Sequence, residues 1–225
     1  MYYSAICTQS DCYKASRMIE PQGIILHSVG CNQPRASVFV GLWNKPGVKV
    51  LPHAVIDGSG DIYQTLPFNR RGWHAGGKAN DTHIGVEMCE PASLIYDTPS
   101  HFIIRDPAEL EDAQELVSRT YHAAVELFAD LCVQYKLDPR KPHVVMSHTE
   151  AHEAGLASDH GDPEELWSGL GLRYDMSHFR WDVYAALCER TRWTVKIPSF
   201  VRQSDAERVA ALLREAGVAA QAVKE

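Results

Sequence analysis

The segment from Ser147 to Trp167 concentrates side chains that can ligate a metal or move a proton. It reads Ser147-His148-Thr149-Glu150-Ala151-His152, then Gly155-Leu156-Ala157-Ser158-Asp159-His160-Gly161-Asp162-Pro163, and closes on Leu166-Trp167. Three histidines (His148, His152, His160) and two aspartates (Asp159, Asp162) stand among small or acidic residues. The segment follows the apolar run His143-Val144-Val145-Met146, the pattern of a buried strand that delivers its last side chain to a site. Imidazole and carboxylate together suit Zn²⁺, and a catalytic zinc takes three protein ligands with one position left open. The cluster therefore suggests metal chemistry without identifying the third ligand.

Several elements must position such a site. Gly23-Ile24-Ile25-Leu26-His27-Ser28 is a short β-branched run ending near a histidine, the pattern of a buried strand. Two strands, 52–57 and 61–66, flank Gly58-Ser59-Gly60 and predict a hairpin. His83-Ile84-Gly85-Val86-Glu87-Met88-Cys89 predicts a further strand. Asp106-Pro107 opens a helix with an aspartate cap and a proline in the first turn. Leu110, Ala113, Val117, Tyr121, Ala124, Phe128, Leu131 and Tyr135 then recur at three- and four-residue steps on one apolar face. A last helix of the main domain is predicted over 176–190, with Phe179, Val183, Leu187 and Cys188 on its buried side. The order of elements describes an α/β (α+β) domain, a central mixed β-sheet flanked by helices, over residues 1–191. Residues 192–225 are expected to be a small βαβ-like appendage, a candidate wall-binding unit. It has a strand at Trp193-Thr194-Val195-Lys196-Ile197, a helix from Ser204 with Glu207 at the capping-box position, a stop at Gly217, and a returning strand over 218–223.

A length of 225 residues allows one substantial core plus a small appendage. A formal net charge of -7 disfavours nonspecific nucleic-acid binding. No apolar run approaches the roughly 20 residues that span a bilayer, so membrane insertion is not expected. The first residues, Met1-Tyr2-Tyr3-Ser4-Ala5-Ile6, lack a basic segment followed by an apolar stretch, so cytoplasmic synthesis without a signal peptide is expected. Cys7, Cys12, Cys31, Cys89, Cys132 and Cys188 are scattered, without C-x-x-C spacing, and are read as reduced thiols.

Four separated pieces resemble the zinc-dependent N-acetylmuramoyl-L-alanine amidases of the type-2 amidase family, which includes phage lysozyme-like amidases and peptidoglycan recognition proteins. They are Ile24-Ile25-Leu26-His27-Ser28; the hairpin Asp57 to Gln64 leading into Arg71-Gly72-Trp73-His74-Ala75-Gly76; Asn80-Asp81-Thr82-His83-Ile84-Gly85-Val86-Glu87; and Ser147-His148 followed by His160-Gly161-Asp162-Pro163. The resemblance implies zinc ligands His27, His148 and Asp162, with Glu87 as general base and peptidoglycan as partner. Many members carry lysine two residues before the aspartate, whereas this chain has His160, which could donate to the oxyanion or protonate the leaving amine. An imidazole, unlike an ammonium, loses its charge around neutrality, so a steeper fall of activity above neutral pH is expected. Pro52 stands before His53 where several relatives have tyrosine. His53, Trp73 and His74 are assigned to the substrate cleft, with a structural role as the alternative for His53, and Trp167 to packing the ligand loop down.

Two other readings stay open on sequence. His152-x-x-Gly155-x-Ala157-x-Asp159 matches part of the pattern of the D-alanyl-D-alanine and L-alanyl-D-glutamate zinc peptidases, with His178 as third ligand, although Glu150 replaces that pattern's serine. A recognition module that binds muropeptide without cutting it is the other. The tail looks similar to half of a SPOR-type wall-binding repeat. A phage-type endolysin, released to the wall on lysis, fits the whole pattern.

Overall fold

The computed structural model describes residues 1–98, 101–191 and 202–215. The elements are, in chain order, β1 (Tyr2–Ser4), α1 (Asp11–Lys14), β2 (Gly23–Ser28), α2 (Ala36–Trp43), β3 (Ala54–Ile56), β4 (Ile62–Gln64) and β5 (His83–Met88). There follow β6 (Leu94–Thr98), β7 (His101–Ile104), α3 (Leu110–Tyr135), β8 (Val145–Ser147), α4 (His148–Glu153), α5 (Glu164–Gly169), α6 (Met176–Arg190) and α7 (Gln203–Glu215). The chain divides into two compact units, Met1–Thr191 and Arg192–Glu225.

In the first unit a six-stranded sheet runs in the order β1-β4-β3-β5-β2-β8. Only the β3–β4 pair, the hairpin closed around Gly60 (φ 87°), is antiparallel. The sheet is therefore mixed and mostly parallel, with helices covering it, in line with the expected fold class. Parallel strands covered on both faces read as continuous apolar runs, and β2 is buried at every position. Side chains alternate across it. Ile24 and Leu26 join Val86 and Met88 in the main core, on the face that also takes Val117, Tyr121 and Phe128 of α3. Ile25 turns to the opposite face and packs with Ala75, Ala79, Met146 and Ala151.

The long helix begins as the sequence predicts. Asp106 accepts from the backbone N–H of Ala108 and Pro107 sits in a short 3-10 turn, which leads into α3. Its apolar face meets α6 and the aromatic cluster behind the ligand loop. Tyr121 stacks on Tyr174 at 4.1 Å and meets Phe179 and Trp167 edge-on at 5.4 Å and 5.7 Å. Trp167 is fully buried and holds α5, which begins two residues after Asp162. Trp167→Ala should lower stability by about 3–5 kcal/mol, the usual cost of emptying a buried aromatic site. The expected readout is a lower urea midpoint with an unchanged slope.

Of the second unit, α7 is described; it begins at Gln203, so Ser204, expected as its cap, lies within the first turn, and Glu207 accepts from the Gln203 side chain at 2.7 Å instead of closing a capping box. The strands expected at 193–197 and 218–223, and with them the half-repeat reading, lie outside the described residues.

Candidate functional site

Register brings the site together. β2 and β5 run parallel with His27 opposite Glu87, so the two side chains leave neighbouring strands on the same face, away from α3. On the other side of β2, Leu26 stands opposite Ser147, which places His148 one step further along, beside His27. The strand expected to end in His148 stops at Ser147, and His148 opens α4 instead. Ser147 and Glu150 close a reciprocal capping box there, and Arg180 braces Glu150 at 2.8 Å, fixing the direction in which His148 leaves the sheet. The loop after α4 returns so that the Asp162 carbonyl accepts from the His148 N–H at 3.1 Å, while its carboxylate accepts from the Ser28 N–H at 3.3 Å.

His27 Nδ1 lies 3.1 Å from His148 Nδ1 and 3.1 Å from an Asp162 carboxylate oxygen, and His148 Nδ1 lies 3.2 Å from the other oxygen. Donors of a tetrahedral zinc with bonds of about 2.0–2.1 Å stand roughly 3.3 Å apart, and the spacings here, with the two Asp162 distances ending on different carboxylate oxygens, lie close to that. Two imidazoles and one carboxylate also form a donor set that zinc accepts with a fourth position open. Among the described residues, these three form the cluster with ligand atoms close enough to share an ion.

Burial opposes the charge on both sides of this triangle. It lowers the affinity of the His27 imidazole for a proton. At Asp162 burial acts against ionisation too, but the contacts with His148 and His27 outweigh it and hold the carboxyl below the usual carboxylate range. Glu87 is pushed well above its ordinary range, first by burial and then by the nearby Asp162 and Glu90 carboxylates.

His27, Glu87, His148, His160 and Asp162 line one cavity of about 420 Å³. Trp73 stands at its wall, 43% exposed. His160 is exposed at the rim, its ring centroid 4.6 Å from that of His148. Ser158, which sequence reasoning passed over, lies between them: its hydroxyl is 3.4 Å from His148 Nε2 and 3.1 Å from His160 Nδ1. His74 also borders the cavity, but both ring nitrogens are engaged, Nδ1 with His27 and Nε2 with the His83 carbonyl.

The assignment of His53 to the substrate cleft is corrected. His53 is fully buried, accepts from the Gly85 N–H at 2.9 Å and donates to the Arg70 carbonyl at 2.7 Å. Both nitrogens serve the backbone, and burial lowers its pKa to about 4, so it is a neutral structural imidazole. The His152–Asp159 pair expected for a zinc peptidase sits on the surface at 3.7 Å, and His178 pairs instead with Asp175 on α6. Those three residues do not assemble a site.

A second unanticipated group is Glu90, fully buried at the end of the cavity beyond Glu87. It accepts from the Gly30 N–H at 2.9 Å and from the Tyr96 hydroxyl. Burial raises its pKa from 4.5 to about 7, against the lowering effect of these hydrogen bonds. A carboxyl whose folded pKa is raised contributes stability that is fully present below its unfolded pKa and is lost as pH rises through the folded one. Stability should therefore fall between pH 4.5 and about 7 through this group, and Glu90→Gln should flatten that fall. Urea titrations across the window would show it, and an unaltered slope would count against the assignment.

A family model described as N-acetylmuramoyl-L-alanine amidase matches residues 17–165. A stretch of 43 residues is 49% identical to N-acetylmuramoyl-L-alanine amidase XlyA of Bacillus subtilis (strain 168), covering 18% of this chain and 14% of that relative. The chain thus matches well under two thirds of that relative's length. In fold it is similar to the Staphylococcus aureus hydrolase AmiA, solved with its ligand, at a TM-score of 0.62 and 16% identity over 84% of each chain. It is also similar to the catalytic domain of XlyA, at a TM-score of 0.56 and 18% identity over 81% of this chain and 99% of that one. The PlyG catalytic domain gives 0.57 and 17% over 86% and 99%.

Proposed function

Because this chain belongs to the N-acetylmuramoyl-L-alanine amidase family, we propose that it hydrolyses the amide bond between N-acetylmuramic acid and L-alanine in bacterial peptidoglycan. The observation that carries the proposal is the triangle of His27, His148 and Asp162, with Glu87 on the adjacent strand and one shared cavity. Zinc held by His27, His148 and Asp162 would supply the Lewis acidity that polarises the lactyl carbonyl and makes a water acidic.

The chain's own residues do the rest. Glu87 accepts a proton from the attacking water, whose oxygen bonds to the carbonyl carbon. The carbon–nitrogen bond then breaks, and the proton held by Glu87 passes to the departing amine of L-alanine. His160, at the rim beside His148, donates toward the developing oxyanion. Trp73 offers an apolar wall to the glycan or the peptide. The role extends to that of a phage-type endolysin meeting the wall at lysis, which external addition to cell walls would show as loss of turbidity. Among the described residues no helix is long and apolar enough to cross a membrane.

Mass spectrometry of digested peptidoglycan tests the reaction. The expected products are intact stem peptides with a free L-alanine amino terminus, and fragments cut inside the stem would overturn the proposal in favour of a peptidase. Walls bound without any product would favour a recognition module. For His160, the change His160→Ala should lower the rate of hydrolysis while zinc content stays unchanged, and an undiminished rate would remove the residue from the mechanism.

A further inference from the structure

His74 stands behind the site, and with its ring neutral its hydrogen bonds have one consistent direction. The carbonyl of His83 can only accept, so His74 Nε2, 3.1 Å away, carries the proton and donates to it. The neutral ring then presents a lone pair at Nδ1. That lone pair faces His27 Nε2 at 3.0 Å, so His27 donates through Nε2. A neutral His27 with its proton on Nε2 has its free lone pair on Nδ1, the atom that points at His148 and Asp162.

We propose that His74 is a positioning residue for the metal ligand His27, fixing its tautomer and ring plane through a His83 carbonyl–His74–His27 chain. The inference rests on the metal reading of the site.

The surroundings hold His74 to this task. The Asn80 side-chain oxygen accepts from the backbone N–H groups of His74 and Ala75 at 2.8 Å and 3.0 Å, pinning the loop. Gly85 on β5 leaves the ring its space: a Cβ there would stand 2.2 Å from the His74 ring. The ring therefore lies flush with strand backbone, where only a glycine admits it. His27 itself is 1% exposed, so no bulk water competes for its Nε2–H. Partners that orient ligating imidazoles commonly contribute about 10–100-fold in metal affinity.

The test is zinc affinity, measured by competition with a chromophoric chelator, alongside ¹⁵N imidazole NMR of the zinc-loaded protein. His74→Phe should bind zinc about 10–100-fold more weakly and lose the slowly exchanging Nε2–H signal of His27. His74→Asn should recover most of the affinity, because its amide oxygen sits where imidazole Nδ1 does and still accepts from His27. Gly85→Ala, which pushes the intact ring aside, should weaken zinc as His74→Phe does. Affinity within about twofold of wild type for folded His74→Phe would overturn the inference while leaving the metal site standing. So would a His74→Asn protein as weak as His74→Phe. A wild type that binds no zinc would overturn both together.

Discussion

His27→Ala should remove bound zinc and lower peptidoglycan hydrolysis by about a thousandfold or more. A metal that stabilises charge in the transition state by roughly 4 kcal/mol contributes near 10³ in rate, at about 1.36 kcal/mol per tenfold. The loss is expected to be this complete because the remaining pair, His148 and Asp162, cannot close the triangle: each stands 3.1 Å from the missing Nδ1, and no other described residue offers a ligand atom to the cluster. The fold should survive the change. β2 is clamped by β5 on one side and β8 on the other, and the ring it loses faces the site, while Ile24 and Leu26 of the same strand face the main core. Metal content by inductively coupled plasma mass spectrometry and product release by peptide mass spectrometry give the two readouts. Full zinc occupancy in the variant would sink the ligand assignment, and undiminished hydrolysis with zinc absent would sink the metal mechanism.

Local pattern revealed β2, α3 and the β3–β4 hairpin, because their burial and turns are written in short windows. The β-branched run of β2, the capped and periodic α3, and the glycine turn between β3 and β4 each carry a signal within a few residues. The brief strands β1 and β6 and the helix α2 escaped notice for matching reasons. β1 has three exposed residues, β6 is exposed at three of its five positions, and Arg35 caps α2 without a side-chain bond. The site divides in the same way. His27, Glu87, His148 and Asp162 were reached through a resemblance that depends on motif order, whereas the pairing of His27 with Glu87 is a fact of register between strands nearly sixty residues apart. His53 reads from sequence as cleft-lining or structural, and nothing near it in the chain separates the two. The two backbone groups that occupy it come from Arg70 and Gly85, which no local window contains. Glu90, three residues past Glu87, carries no local sign of burial, because the groups that bind it come from the Gly30 loop and Tyr96.

The proximity of Glu87 and Glu90 shapes the other large effect. Glu87→Gln should lower hydrolysis by about 10²–10⁴, the range for loss of a positioned general base, while zinc stays bound. The separation between the two readouts follows from geometry, since Glu87 lines the cavity on the strand next to His27 but is not a member of the ligand triangle. A glutamine keeps the size and removes the proton acceptor, so a loss with full metal occupancy can only be assigned to proton transfer or water orientation. The pH profile adds a second constraint. A base must be ionised to act, so activity rises with pH through the Glu87 pKa, and burial with Asp162 and Glu90 places that pKa well above the ordinary carboxylate range. A bound cation would draw it back down, and Glu90→Gln, which deletes one of the two carboxylates pushing it up, should move the acid limb of the profile to lower pH. If Glu87→Gln retained wild-type rates, or if the acid limb of the wild type stayed unmoved by Glu90→Gln, Glu87 would not be the group that takes the proton from water.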